Sequence, residues 1–298
     1  MKYTKHKDNA TRRQFSDFPL SKQVKFVVGS LLGKVLPEKR KEIATSPFAN
    51  DSSILDRFIR NGIYATAFKQ NNHEQLRKYF SQYWGQDVDS FHQSWADRFQ
   101  RMFLDQDVYV VNELAKSIES DPSDNKFRHL YEIGCGDGQV IKYLHERFPE
   151  FASFTGIDLG AEQIRKNLEA NQIDSIAFEN ADANDWVPAN AKPNSVILTN
   201  GGVLEYFLQS ELEELFSFAA ENLTPVAVCI IESVGTDHDL TKEFDSLVYG
   251  RELAFSHNYP QLLRAAGFSI VACSERAGES IDGGGRWIRI LAVKECSV

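Results

Sequence analysis

The run Tyr131-Glu132-Ile133-Gly134-Cys135-Gly136-Asp137-Gly138 constrains this chain more than any other stretch. It closes a strand-like segment at 127–133 and precedes a helical pattern of Val140, Ile141, Leu144 and Phe148. Glycines at every second position let the backbone take positive φ and let a ligand come close. The helix that follows offers unpaired N–H groups at its start. Strand, tight glycine turn and helix therefore predict a nucleotide-type ligand site. The spacing is G-x-G-x-G with an acid two residues upstream, whereas a nicotinamide or flavin site would want G-x-G-x-x-G and a pyrophosphate on the helix.

The residues that follow repeat the alternation. Phe154-Thr155-Gly156-Ile157-Asp158 reads as a second strand ending in an acid, 20 residues after Gly138, where a carboxylate can accept hydrogen bonds from ribose hydroxyls. A helix is predicted at 161–170, a third strand at 175–178 followed by Asn180-Ala181-Asp182-Ala183, and a fourth at 195–199 running into Asn200-Gly201-Gly202-Val203-Leu204-Glu205-Tyr206. A strand at 225–233 and the run 259–268 complete the pattern, with two last strands at 269–273 and 286–293. Alternating strands and helices predict a mostly parallel sheet covered on both faces.

In this order and at these intervals, residues 110–295 resemble the class I S-adenosylmethionine-dependent methyltransferases, and Glu132 to Gly138 resembles their first motif. The resemblance implies an α/β, doubly wound, seven-stranded Rossmann-like sheet whose final strand is antiparallel. It implies S-adenosyl-L-methionine as cofactor and S-adenosyl-L-homocysteine as product. Glu132, Gly134, Cys135, Gly136, Gly138, Asp158, Leu159, Asp182, Ala183, Asn200 and Gly201 are the implied cofactor-binding positions, with Asp182 at the adenine amino group. Val203-Leu204-Glu205-Tyr206 resembles a Val-Leu-Glu-His run of small-molecule members, with Tyr206 in place of the histidine. Asn200-Gly201-Gly202-Val203 is not the Asn-Pro-Pro-Tyr motif of enzymes that methylate nucleobase or glutamine amines. No Asp, Asp, Asn constellation is seen, so no metal is expected.

Residues 20–119 read as all-helical and rich in aromatic side chains, and 121–126 as a turn-rich joint. The domain reading is a mobile basic segment at 1–20, a helical cap or substrate lid at 21–120 and a catalytic domain at 121–298. Val24, Val27, Val28, Leu31, Leu32 and Val35 have helical spacing, with Lys22, Lys25 and Lys34 beside them. The preferred reading is a helix docked by that face on its own protein; a membrane-surface helix is the alternative. Asp51 or Ser52 is expected to cap the next helix. Tyr83, Trp84, Trp95 and Tyr259 are the candidate substrate contacts. Cap aromatics at helical spacing mostly build a core, and rings over a cleft also suit an apolar or aromatic acceptor.

Methyl transfer needs an aimed nucleophile, exclusion of water and, for a protonated nucleophile, a base within reach. The catalytic candidates are His257, His238, Glu205 and Tyr206, with Glu232 at the end of the fifth strand. His238 lies between Asp237 and Asp239, which should favour its protonated form. The loop 234–258 is expected on the ligand face. The chain has 298 residues and net charge −9, which argues against a general nucleic-acid binder. Residues 1–42 hold 11 Lys/Arg against 4 Asp/Glu, a local +7 that leaves −16 on the rest. Four cysteines without metal spacing suggest a reduced, cytoplasmic protein. The expected partner is a small-molecule acceptor such as a secondary metabolite, methylated at oxygen or nitrogen; no nucleic acid and no membrane span are expected, and a homodimer is allowed. Rival readings are a macromolecule methyltransferase docked through the basic N-terminus, a non-catalytic cofactor-binding partner protein, and, on spacing least of all, a nicotinamide oxidoreductase.

Overall fold

Five parallel strands form one end of a seven-stranded sheet: β1 (His129–Ile133), β2 (Ser153–Asp158), β3 (Ile176–Asn180), β4 (Ser195–Asn200) and β5 (Val226–Gly235). β8 (Ser269–Ala277) and β9 (Gly285–Lys294) complete it, in the order β3-β2-β1-β4-β5-β9-β8. β9 runs antiparallel to both β5 and β8, as the resemblance implies. The computed structural model describes residues 15–45, 53–85, 97–120, 127–250, 253–277 and 285–296. The joint at 121–126, the basic residues 1–14 and Trp95 lie outside the described residues.

The sheet is buried on both faces because alternate strand residues feed different layers. In β1, Tyr131 and Ile133 join Leu212, Phe216 and Leu263 on one face. Leu130 joins Leu114, Ile141 and Phe154 on the other. The helices Ala183–Asn190, Gln209–Asn222 and Tyr259–Ala265 supply the first layer, and Tyr109–Glu119, Gln139–Arg147 and Ala161–Ala170 the second. Chain order runs outward from β1 to β3 and then returns to β4, so the topological switch lies between β1 and β4. A ligand crevice opens at such a point, beyond the carboxyl ends of the strands.

The N-terminal helices are α1 (Leu20–Val35), α2 (Pro37–Thr45), α3 (Ile54–Lys69) and α4 (His73–Trp84). Ser53, rather than residue 51 or 52, caps α3, its side chain accepting from the Asp56 N–H. Their core holds Phe26, Ile59, Ile63, Leu76 and Phe80 and takes in Val248, Leu253 and Phe255. Those three come from a β-hairpin, β6 (Leu247–Tyr249) and β7 (Ala254–Ser256), inside the 234–258 segment expected as a loop on the ligand face. The cap is thus one body with that excursion from the α/β half.

The expected docking face of α1 is corrected. Val24, Val27, Val28, Leu31 and Val35 are exposed; Lys22, Phe26, Gly29 and Gly33 are buried. A Cβ on Gly29 would lie 1.7 Å from the Phe58 carbonyl oxygen. Backbone contact at glycine therefore decides the face, which aliphatic periodicity does not reveal. Residues Phe99–Asp107 form a π-helix, with the Val108 N–H reaching back to the Phe103 carbonyl at 2.7 Å. Buried Asp107 pins this segment to β8 through two Arg276 bonds of 2.8 and 2.6 Å. Among the described residues no helix is long and apolar enough to cross a membrane.

Candidate active site

The turn after β1 brings the site together. Gly134, Gly136 and Gly138 all have positive φ, at 73°, 48° and 74°. A side chain at Gly134 would also run into Val203, 2.4 Å from its Cγ2. Asp158, at the end of β2, organises the turn: its Oδ2 accepts from the Gly136 N–H at 2.9 Å and its Oδ1 from the Gly160 N–H at 2.8 Å. A carboxylate has about four acceptor positions, so further lone pairs remain for ribose hydroxyls. Asn167 donates to the Gly136 carbonyl at 2.7 Å, and buried Cys135 packs against Gly156. Asn180 donates to the Leu159 carbonyl at 2.9 Å.

Glu132 is buried under this turn and its Oε2 has no hydrogen-bond partner. Burial pushes its carboxyl well above the usual range, Asp137 and Asp158 add to that, and Arg98 opposes it. Arg98 caps the π-helix, and its guanidinium carbon lies 3.8 Å from a Cβ built on Gly201. Arg98 is thus near the Gly201 end of β4 and acts electrostatically on Glu132. Gly201 and Gly202 both have positive φ, at 94° and 81°. A buried carboxyl with one oxygen unpartnered, a flanking guanidinium and an open glycine turn fit the zwitterionic end of S-adenosylmethionine, which carries both an ammonium and a carboxylate.

Asp182 does more than the sequence indicates. Its Oδ1 accepts from the Asn184 N–H at 3.1 Å, capping the helix that begins at Ala183. Its Oδ2 takes a 2.6 Å salt bridge from Arg77 of α4. Arg77 is buried, also holds Glu211 at 2.9 Å, and lies over the Phe207 ring at 4.6 Å. This clamp ties the cap to the α/β half beside the expected adenine site. Arg77 was not legible in the sequence; only Glu211, at the third position of its helix and accepting from the Leu208 N–H, bears a capping signature.

The end of α4 closes over the Leu159-Gly160 turn beside Asp158. A Cβ on Gly160 would meet the Trp84 carbonyl at 3.6 Å, and one on Gly85 the Leu159 carbonyl at 3.7 Å. Trp84 packs on Tyr83 at 4.7 Å and on Tyr206 at 5.4 Å; Tyr206 also meets Phe80 at 5.1 Å. Tyr206 therefore joins the aromatic wall of the cap. Glu205 points the other way. Ser233 donates to its Oε2 at 2.8 Å, Tyr249 donates to the same oxygen, and Oε1 lies 2.7 Å from a Cβ built on Gly202.

The histidines sit differently from the sequence expectation. His257 is fully enclosed: Ser246 donates to Nδ1 at 2.6 Å and Nε2–H donates to the Leu204 carbonyl at 3.1 Å. Burial lowers its pKa to about 3, so the ring is neutral with both nitrogens engaged. His238 is held likewise by Ser256 at 2.8 Å and the Glu243 carbonyl at 3.3 Å. Burial lowers its pKa, outweighing Glu243 and Asp237, so the expected stabilisation of its protonated form by flanking acids is reversed. Tyr259 is also fully buried, with no partner for its hydroxyl. Glu232 lies inside β5, which continues to Gly235. It accepts from the Leu204 N–H at 3.0 Å, and burial followed by Glu205 raises its pKa to about 8.

Residues 130–226 match the family described as a methyltransferase domain. Those residues thus carry a methyltransferase domain, and the G-x-G-x-G turn, Asp158 and the sheet order accord with that match. It is 22% identical over 181 residues to malonyl-[acyl-carrier protein] O-methyltransferase of Brevibacillus brevis, covering 56% of this chain and 64% of that protein. It is 29% identical over 139 residues to trans-aconitate 2-methyltransferase of Escherichia coli O6:H1, covering 47% of this chain and 50% of that one. The chain thus spans between half and two thirds of these relatives' length. Among solved structures it resembles the N-methyltransferase NodS of Bradyrhizobium japonicum WM9, at 17% identity and a TM-score of 0.43, covering 63% of this chain and 95% of that one.

Proposed function

We propose that the chain transfers a methyl group from S-adenosylmethionine to a small acceptor carrying a hydroxyl or amine. The observation that carries this reading is the grouping of the positive-φ turn, Asp158, buried Glu132 and Arg98 at the switch between β1 and β4, beneath the end of α4. The cofactor supplies an electrophilic methyl carbon when bound. Arg98 would hold its carboxylate, the Glu132 region its ammonium, and Asp158 its ribose. Asp182 would mark the adenine end, steadied by Arg77.

On the acceptor side, Trp84 and Tyr206 give an apolar wall that excludes water. Glu205 is the carboxylate we assign to accept the acceptor's proton, aimed by Ser233 and Tyr249. His257 acts in this reading as a positioning residue, fixing the Leu204 carbonyl and so the loop that carries Glu205. The two curated relatives are named for carboxylate-bearing compounds. Here Arg77 is already committed to two carboxylates, and Arg98 belongs to the cofactor side. A hydroxyl or amine acceptor suits such acidic surroundings better than a second anion. Glu205→Gln should lower kcat by roughly 10²- to 10⁴-fold with S-adenosylhomocysteine affinity unchanged; a wild-type rate on the acceptor found would remove Glu205 from this role.

A further inference from the structure

Among the described residues, the outer face of α1 is an apolar stripe that neither the fold nor the site accounts for. Leu20 and Val35 are 75% exposed and Leu31 57%, with Val24, Val27 and Val28 also open. At about 100° per residue these six form one stripe along the helix, and the buried Lys22, Phe26, Gly29 and Gly33 lie on the opposite side. Single exposed aliphatics need no explanation, but a continuous stripe does. The helix cannot simply roll over to bury it. Gly29 is in backbone contact with α3, and Lys22 donates to the Gly250 carbonyl at 2.8 Å.

Charge selects the occupant. The sequence of α1, LSKQVKFVVGSLLGKV, carries three lysines and no carboxylate. Lys25 and Lys34 are exposed, one on each side of the stripe. Two copies pairing through α1 would bring lysines together with no acid from either helix to meet them. Residues 1–14 add Lys2, Lys5, Lys7, Arg12 and Arg13, with only Met1, Tyr3 and Ala10 as apolar side chains. That segment contributes charge and too little apolar surface to cover the stripe. The +7 on residues 1–42 stands against −9 for the whole chain, so attraction to an anionic surface is local and orienting.

We infer that α1 docks the protein on an anionic phospholipid surface, with the stripe at the acyl boundary and the lysines among the headgroups. The protein lies on the bilayer and does not span it. The test is co-sedimentation of the full chain with vesicles of 70:30 phosphatidylcholine and phosphatidylserine, and with pure phosphatidylcholine. Wild type should pellet with the anionic vesicles, and salt should release it. The double variant Val24→Glu, Leu31→Glu should lose at least tenfold in partitioning, and Lys25→Gln, Lys34→Gln roughly thirtyfold. Both should melt as wild type does, because the replaced side chains are exposed. The proposal would be overturned by no preference for anionic vesicles; by unchanged binding of the glutamate variant, which would leave the basic N-terminus alone responsible; or by a wild-type dimer in sedimentation velocity that the glutamate variant dissociates, which would give the stripe to a second copy. A large loss of thermal stability in that variant would also overturn it, since the stripe would then be covered by the chain itself.

Discussion

Glycine does opposite work in the two halves of this molecule. In the α/β half, Gly134, Gly136 and Gly138 adopt positive φ, so the requirement is written in the local backbone. In the cap, Gly29 and Gly62 lie within α1 and α3, and what they provide is closeness: a Cβ on Gly62 would sit 2.2 Å from the Gly29 carbonyl carbon. The first kind lets the turn adopt its conformation, where we place the ligand, and the second brings two backbones together. A substitution in the turn should therefore silence binding, and one in the cap should separate helices.

Gly29→Val should show the largest effect, since the clash is with backbone that no rotamer can relieve. We expect a loss above roughly 3 kcal/mol or an undocked cap, read by thermal melting and proteolysis of 15–85, with the sheet still folded. An intact cap would break the comparison. Arg77→Ala leaves Asp182 and Glu211 without their shared cation and should cost about 3–5 kcal/mol in a denaturant titration. A change under about 1 kcal/mol would mean the clamp is ornamental.

His257 gives a pH test. Its folded pKa of about 3 lies below the ordinary histidine value of 6.5, so the unfolded chain binds the extra proton between these limits. Stability is therefore fully present above about 6.5 and is lost as pH falls through that window. In His257→Gln this decline should be shallower by several kcal/mol between pH 6.5 and 3, an order-of-magnitude figure; an unchanged slope would contradict the burial of a neutral ring. Asp158→Ala should have the smallest effect, weakening S-adenosylhomocysteine by roughly 1–3 kcal/mol with the cap undisturbed. Equal affinity would remove Asp158 from the ribose side.

What the sequence reveals follows the same division. The turn, the acid 20 residues on and the strand alternation are local patterns, and strands β1 to β5 appear within a few residues of where periodicity puts them. The resemblance supplied the antiparallel last strand. The cap was read as helical, but the face of α1 was reversed because it depends on which backbone Gly29 meets. Arg77, Ser233 and Tyr249 reach the site through tertiary contacts 105, 28 and 44 residues from their partners Asp182, Glu205 and Glu205, and no spacing rule connects them. His257 and His238 looked like loop bases because the β6–β7 hairpin that encloses this region has only three residues per strand.

In the proposed function the turn at 134–138 is built for a methyl donor. Isothermal titration of the full chain with S-adenosylhomocysteine, alongside NADH and beside Gly134→Val, tests it most directly. Wild type should bind S-adenosylhomocysteine saturably, the folded variant should not, and neither should bind NADH. Binding of NADH without S-adenosylhomocysteine, or full affinity in Gly134→Val, would contradict it.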